Sequence, residues 1–305
     1  MMMVVMALGV VLSAQADRKI LIITGGQSNT DGRLDADVMP EYLQAPNELC
    51  MVSYHSPYDG ERMGKFYAFY PTSGTVGQPK RWAYDDVVYY HLSKALKRTY
   101  YVAKTTYGGT SVSPEVVCSP SNHAVADAAW APGYGSGYHW SADADFLAAT
   151  DIAGVPFTRG NSVYEGQSLL KAWIANIDAA IDALQADGSK VDIRCIIWHQ
   201  GESDRKADGK YYENLKAVVA YVRQHLVEKT GKRKYARLPF FCGNIPDSSH
   251  QKSKGVNEAL RRLAEEDKNF HMVDISDLTM KSDNVHFDAP SAVKFGERMY
   301  EAIMK

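Results

Sequence analysis

Along most of this chain, short apolar runs alternate with longer stretches of helical periodicity, and that alternation is what most limits the fold. The runs fall at 19–23, 49–53, 100–106, 192–198, 239–243 and 270–273. Between two of them, Leu169, Leu170, Trp173, Ile174, Ile177, Ile181 and Leu184 recur at helical spacing and stop at Asp187-Gly188. Leu215, Val218, Val219, Val222 and Leu226 mark a second helix that ends near Gly231. Further helices are predicted over about 84–98, 256–268 and 291–304. Strand and helix in strict succession predict a mostly parallel sheet covered by helices on both faces.

One stretch breaks the rhythm. From about 113 to 160 no period is visible, yet Gly, Pro, Ser and aromatic residues abound, among them Trp130, Tyr134, Tyr138 and Trp140. Disordered segments are poor in aromatics, so the expectation is an ordered insertion lying over one edge of the sheet.

In open α/β sheets, ligands bind outside the carboxyl ends of the strands, so the residues just after each run carry most of the functional information. After 19–23 comes Gly26-Gln27-Ser28-Asn29, which places a hydroxyl on the turn. After 100–106 comes Tyr107-Gly108-Gly109-Thr110-Ser111, where paired glycines let a backbone N–H approach a ligand. After 192–198 comes His199-Gln200-Gly201-Glu202-Ser203-Asp204, a polar cluster on the end of the most apolar run. Asp283-Asn284-Val285-His286 precedes the last helix, and Asp and His three apart on one turn can lie side by side. Taken singly, Ser28 reads as a helix cap, His286 as a surface histidine and the glycines as a tight turn. Four such segments at one edge point instead to a nucleophile, a base, an acid and oxyanion donors.

The composition narrows the alternatives. The 305 residues are 45% apolar with a formal net charge of -2, which suits one large globular domain and gives no electrostatic reason for a nucleic-acid partner. The basic stretch 229–237 reads as a solvated loop after a helix. Residues 1–16 form an apolar run ending in Ala14-Gln15-Ala16, too short for a mature membrane span. They are read as a signal peptide, with a secreted or periplasmic domain over 17–305. Of the four cysteines, Cys195 and Cys242 read as core residues. Cys50 and Cys118 are a candidate bridge that sequence alone does not pair. No Cys-x-x-Cys occurs.

The four segments together resemble the blocks of SGNH hydrolases, most closely the branch containing sialate O-acetylesterases and acetylxylan esterases of carbohydrate esterase family six. The Trp198–Asp204 block is the most specific, and its His199 and Asp204 look closer to the acetylxylan esterase members. Thr30 departs from the Met that many members carry, which puts a local pocket contact in doubt. The resemblance implies a three-layer α/β/α flavodoxin-like fold and a cofactor-free, metal-independent serine esterase acting on acetylated carbohydrate. It implies Ser28 as nucleophile, His286 as base and Asp283 as acid. Oxyanion donors would be the N–H groups of Ser28 and Gly109 (or Gly108) and the side-chain amide of Gln200. Glu202 is a supporting or alternative acid, and Asn29, Trp130 and Trp140 are candidate substrate contacts. Competing readings are an SGNH lipase or thioesterase and a non-catalytic carbohydrate-binding protein. A zinc deacetylase is disfavoured by the lack of ligand spacing. No nucleic acid and, for the mature form, no membrane is expected as a partner.

Overall fold

A computed structural model describes residues 18–56, 62–71, 81–118 and 133–305. The signal-peptide reading of 1–16 and the Trp130 assignment lie outside these residues. In chain order the elements are β1 (Arg18–Gly26), α1 (Ser28–Asp31), β2 (Leu34–Asp35), β3 (Asn47–His55), β4 (Tyr67–Phe69) and β5 (Arg81–Trp82). There follow α2 (Tyr84–Leu96), β6 (Tyr100–Thr106), α3 (Ala144–Ala149), β7 (Pro156–Arg159), β8 (Ser162–Glu165) and α4 (Leu169–Gln185). The last third holds β9 (Lys190–His199), α5 (Asp208–Thr230), β10 (Phe240–Gly243), α6 (Lys254–Glu266), β11 (Phe270–Val273) and α7 (Ala289–Met304).

Seven strands form the main sheet in the order β11-β10-β9-β1-β6-β3-β4, and only β4 runs antiparallel to its neighbour. Alternation along β1 divides the core. Leu21 and Ile23 join α4, α5 and α6 on one face, whereas Ile20 and Ile22 join α2 and α7 on the other. Both faces of β1 are therefore buried, which is why its sequence reads as an unbroken apolar run. The fold is mixed α/β with a mostly parallel central sheet, as expected. Among the described residues no helix is long and apolar enough to cross a membrane.

Register decides what meets at the functional edge. Gly26 of β1 pairs with Thr106 of β6 on one side and His199 of β9 on the other. The three strands thus end level, and the loops that follow them emerge side by side. Gly26 has φ +151, and a side chain there would collide with Thr30 and the His199 carbonyl. Thr30 is fully buried against this turn and donates to the His199 carbonyl at 3.3 Å. The Thr30 departure therefore concerns a packed turn and not a pocket.

Two expectations are corrected. All four cysteines are free and buried, so Cys50 and Cys118 form no bridge. Cys50 sits in the core beneath α2. Cys118 lies 3.4 Å from Ser111 Oγ and 3.7 Å from His139 Nδ1, and burial pushes its thiol up to about 12. In the described part of the insertion, Tyr138 and Trp140 turn inward. Trp140 is fully buried at 4.9 Å from Trp198 and 5.6 Å from Trp173, between ring centroids. Its Nε1 donates to Thr110 Oγ1 at 2.9 Å. The ring is thus unavailable to a sugar, and its role is to fix the loop after β6 onto the core.

Candidate active site

Ser28 opens α1 directly after the Gly26-Gln27 turn, and its side chain is 6% exposed. His286 Nε2 lies 3.0 Å from Ser28 Oγ, and His286 Nδ1 lies 2.8 Å from Asp283 Oδ2. The other carboxylate oxygen, Asp283 Oδ1, accepts from the backbone N–H groups of Val285 and His286, each at 2.9 Å. Asp283 and His286 are therefore locked together on one turn, as their three-residue spacing anticipates.

The surroundings set the protonation states. Burial raises the Asp283 carboxyl, but the His286 hydrogen bonds and the Val285 N–H outweigh it and bring the value down to about 2. For His286, burial is the largest influence and lowers the imidazole below its ordinary 6.5. Asp283 opposes that shift, while the charges of Arg33 and Lys281 add to it. The ring is thus a neutral base near pH 7, the form that can take a proton from a hydroxyl.

The loop carrying His286 is fastened to α1 by Asn29. Its Oδ1 accepts from the Phe287 N–H at 3.2 Å, and its Nδ2 donates to Glu202 Oε1 at 2.9 Å and to the Val285 carbonyl at 3.4 Å. With both ends of the amide engaged, Asn29 positions the loop. Glu202, fully buried, also lies 3.2 Å from His199 Nε2. The carboxylate beside His286 is that of Asp283; Glu202 acts one step behind, through Asn29.

Gln200, expected as an oxyanion donor, has its amide hydrogen-bonded within the protein. Its Nε2 donates to Asp204 Oδ2 at 2.6 Å and to the Thr110 carbonyl at 2.9 Å, and the side chain is fully buried. Asp204 in turn accepts from the Val112 and Ser113 N–H groups at 3.1 and 3.0 Å. The polar cluster after β9 therefore braces the loop after β6. Buried polar groups need partners, and here Thr110, Val112 and Ser113 supply several of them from the loop after β6.

The glycine pair divides its work. Gly109 has φ +71 and makes the turn. Gly108 is the one packed on the nucleophile. A methyl group added to Gly108 would lie 3.2 Å from Ser28 Cβ and 2.6 Å from Arg33 Nη2. Any larger residue there would have to displace the Arg33 guanidinium and crowd Ser28.

That contact exposes a residue absent from the sequence reading. Arg33 donates to Asp31 Oδ2 at 2.5 Å and to the Gly32 carbonyl at 2.7 Å, with Nη2 against Gly108. Asp31 Oδ1 accepts from Thr106 at 2.8 Å and Tyr54 at 2.9 Å. Burial raises the Asp31 carboxyl, but the Arg33 charge and these hydrogen bonds prevail and hold it below the usual range. Lys281 Nζ donates to the Arg33 carbonyl at 2.8 Å. Single charged residues in irregular loops carry no periodic signal, so nothing in the sequence marked Arg33, Asp31 or Lys281.

A family model described as carbohydrate esterase, sialic acid-specific acetylesterase, matches residues 116–305. The chain belongs to that family. Its members are carboxylic ester hydrolases, so the chain is an enzyme of that class. The matched stretch includes Gln200, Glu202, Asp283 and His286, and the Ser28 and Gly108 loops are joined to it by the geometry above. Among solved structures, a protein from Arabidopsis thaliana aligns with TM-score 0.61 at 16% identity, covering 94% of this chain and 98% of that one. NanS aligns at 0.54 and 12%, covering 95% and 97%. A carbohydrate acetylesterase from Xanthomonas citri aligns at 0.51 and 15%, covering 92% of this chain and 55% of its own. At such identities the likeness is one of fold, that of the SGNH hydrolases. Comparison with curated protein sequences returns no match.

Proposed function

We propose that this chain removes O-acetyl groups from carbohydrate, polysaccharide or sialic acid, by a Ser-His-Asp mechanism. The observation that carries the reading is the hydrogen-bonded line Ser28 Oγ, His286 Nε2, His286 Nδ1, Asp283 Oδ2 at 3.0 and 2.8 Å. Ser28 Oγ attacks the acetyl carbonyl carbon while its proton passes to His286 Nε2. Asp283 holds the ring and stabilises the imidazolium that forms. The oxyanion is met by backbone N–H groups of Ser28 and the Gly108-Gly109 turn, with the Arg33 charge nearby. Collapse expels the sugar oxygen, which takes the proton from His286 and leaves an acetyl-serine. Water, deprotonated by the same imidazole, then releases acetate and restores Ser28. Export of the mature domain, from the 1–16 segment, belongs to the same proposal.

Acetate release from a panel of acetylated xylo-oligosaccharides and O-acetylated sialic acids tests this reading and names the sugar. Ser28→Ala should abolish it. Retention of more than about a tenth of wild-type turnover, equivalent to about 1.4 kcal/mol, would overturn the serine mechanism. Cleavage of long-chain acyl esters alone would favour a lipase-like enzyme.

A further inference from the structure

A cavity of about 260 Å³ opens beside the catalytic edge, on the α2 face of the sheet, and neither Ser28 nor His286 lines it. Its wall includes Asp31, Tyr54, Tyr67, Tyr70, Arg81 and Lys104. Asp31 is the partition. One of its oxygens holds Arg33, whose Nη2 abuts Gly108, and the other accepts from Thr106 and from Tyr54, which lines the cavity. From Gly108, which packs on Ser28, to the cavity the path is thus one guanidinium and one carboxylate.

The lining mixes phenol rings with fixed charges. Lys104 is buried and paired with Asp85 at 2.7 Å, which anchors that wall. Tyr67, on the antiparallel edge strand β4, is 53% exposed. A ring this open on a sheet edge contributes little to the core. Aromatic faces with polar groups at their margins suit a ligand that has an apolar face and a hydroxylated rim. Pockets for larger organic ligands begin near about 300 Å³, so this one has room for a single ring.

We propose that the cavity is a second sugar subsite, taking the glycosyl residue next to the acetylated one, with Tyr67 against its apolar face. The proposal rests on the reading of this chain as a carbohydrate esterase. It moves the aromatic platform from the insertion, where Trp140 is buried, to β4. Arg33 and Asp31 then separate the ring being deacetylated from its neighbour.

The test compares an O-acetylated monosaccharide with an acetylated trisaccharide of the same sugar, in both the xylose and the sialic acid series. Loss of one aromatic contact, worth up to about 1.5 kcal/mol, is about tenfold in affinity. Tyr67→Ala should therefore lower kcat/KM for the trisaccharide about tenfold more than for the monosaccharide, chiefly through KM. Equal effects on both substrates in both series would overturn the subsite. A second measurement does not depend on turnover. Ser28→Ala protein titrated with the unacetylated trisaccharide should bind it, and adding Tyr67→Ala should weaken that binding by a similar factor. Binding that ignores Tyr67, or is undetectable, would overturn the proposal. An inactive wild-type protein that still binds the trisaccharide through Tyr67 would sink the esterase reading and leave the subsite standing.

Discussion

Asn29 Nδ2 lies 2.9 Å from Glu202 Oε1, and through that bond the helix of the nucleophile is tied to the polar cluster after β9. The opposite end of the same amide accepts from Phe287, next to the base. Glu202 therefore influences His286 through position and not through charge at the ring.

The two carboxylates should separate in mutagenesis. Asp283→Asn should cost on the order of ten-thousand-fold in kcat, because the amide no longer holds the imidazole in its working tautomer. Glu202→Gln keeps an acceptor for Asn29 and should cost far less turnover. Its main effect should be a lower Tm, since it changes a buried group within 3.2 Å of His199. A mild Asp283→Asn beside a crippled, well-folded Glu202→Gln would reverse the assignment.

The acidic limb of the kcat/KM profile should inflect below 6.5, because burial first, then Arg33 and Lys281, disfavour the imidazolium. Activity appears as pH rises through the His286 value, since only the neutral ring accepts the serine proton. Removing a nearby cation makes protonation easier. Arg33→Gln should therefore move the inflection upward, and the freed Asp31 carboxylate pushes the same way. An unchanged or lowered inflection would show that the Arg33 charge does not reach the ring.

The strands after which functional loops emerge were legible because they are buried on both faces and so read as continuous apolar runs. The expected strand at 100–106 matches β6, and 270–273 matches β11. Strands β2, β4 and β5 escaped notice because each has only two or three residues at an edge or in a side ribbon. Within the site, sequence placed Ser28, Asp283 and His286 correctly at one edge, since the spacing of Asp and His is a local matter. The hydrogen-bond partners of Asn29 and Gln200 were not legible, for a different reason. Which way an amide points depends on acceptors contributed by segments far off in the chain, here Glu202, 173 residues away, for Asn29 and Thr110, 90 residues away, for Gln200. Burial of Trp140 was hidden in the same way, as a residue without periodic neighbours gives no sign of the face it presents.

Asp204 should matter to stability through the loop it holds. Its carboxylate accepts three hydrogen bonds, from Val112, Ser113 and Gln200. Burial nonetheless raises it to about 6. An acid whose folded value lies above its unfolded one favours the fold most at low pH, and that contribution disappears as pH rises through about 6. Asp204→Asn turns one acceptor into a donor facing donors, which should cost about 1–3 kcal/mol. Denaturant titrations from pH 4 to 8 should show the variant less stable and lacking part of the wild-type decline across pH 6. Equal stability at every pH would mean that the loop stands without this brace.

Trp140 offers the sharpest contrast with the exposed ring of Tyr67. Truncating a fully buried tryptophan costs about 3–5 kcal/mol, so Trp140→Ala should be poorly folded and reveals little about substrate. Trp140→Phe keeps an aromatic ring between Trp173 and Trp198 but loses the 2.9 Å bond to Thr110. Thr110 Oγ1 itself donates to the Tyr107 carbonyl at 2.9 Å, at the base of the Gly108-Gly109 turn. Slackening there displaces the oxyanion donors, which serve every ester alike. Trp140→Phe should therefore lower kcat/KM for an aryl acetate and for an acetylated oligosaccharide by the same factor, with modest loss of Tm. A loss confined to the oligosaccharide would place Trp140 at the substrate and contradict its burial.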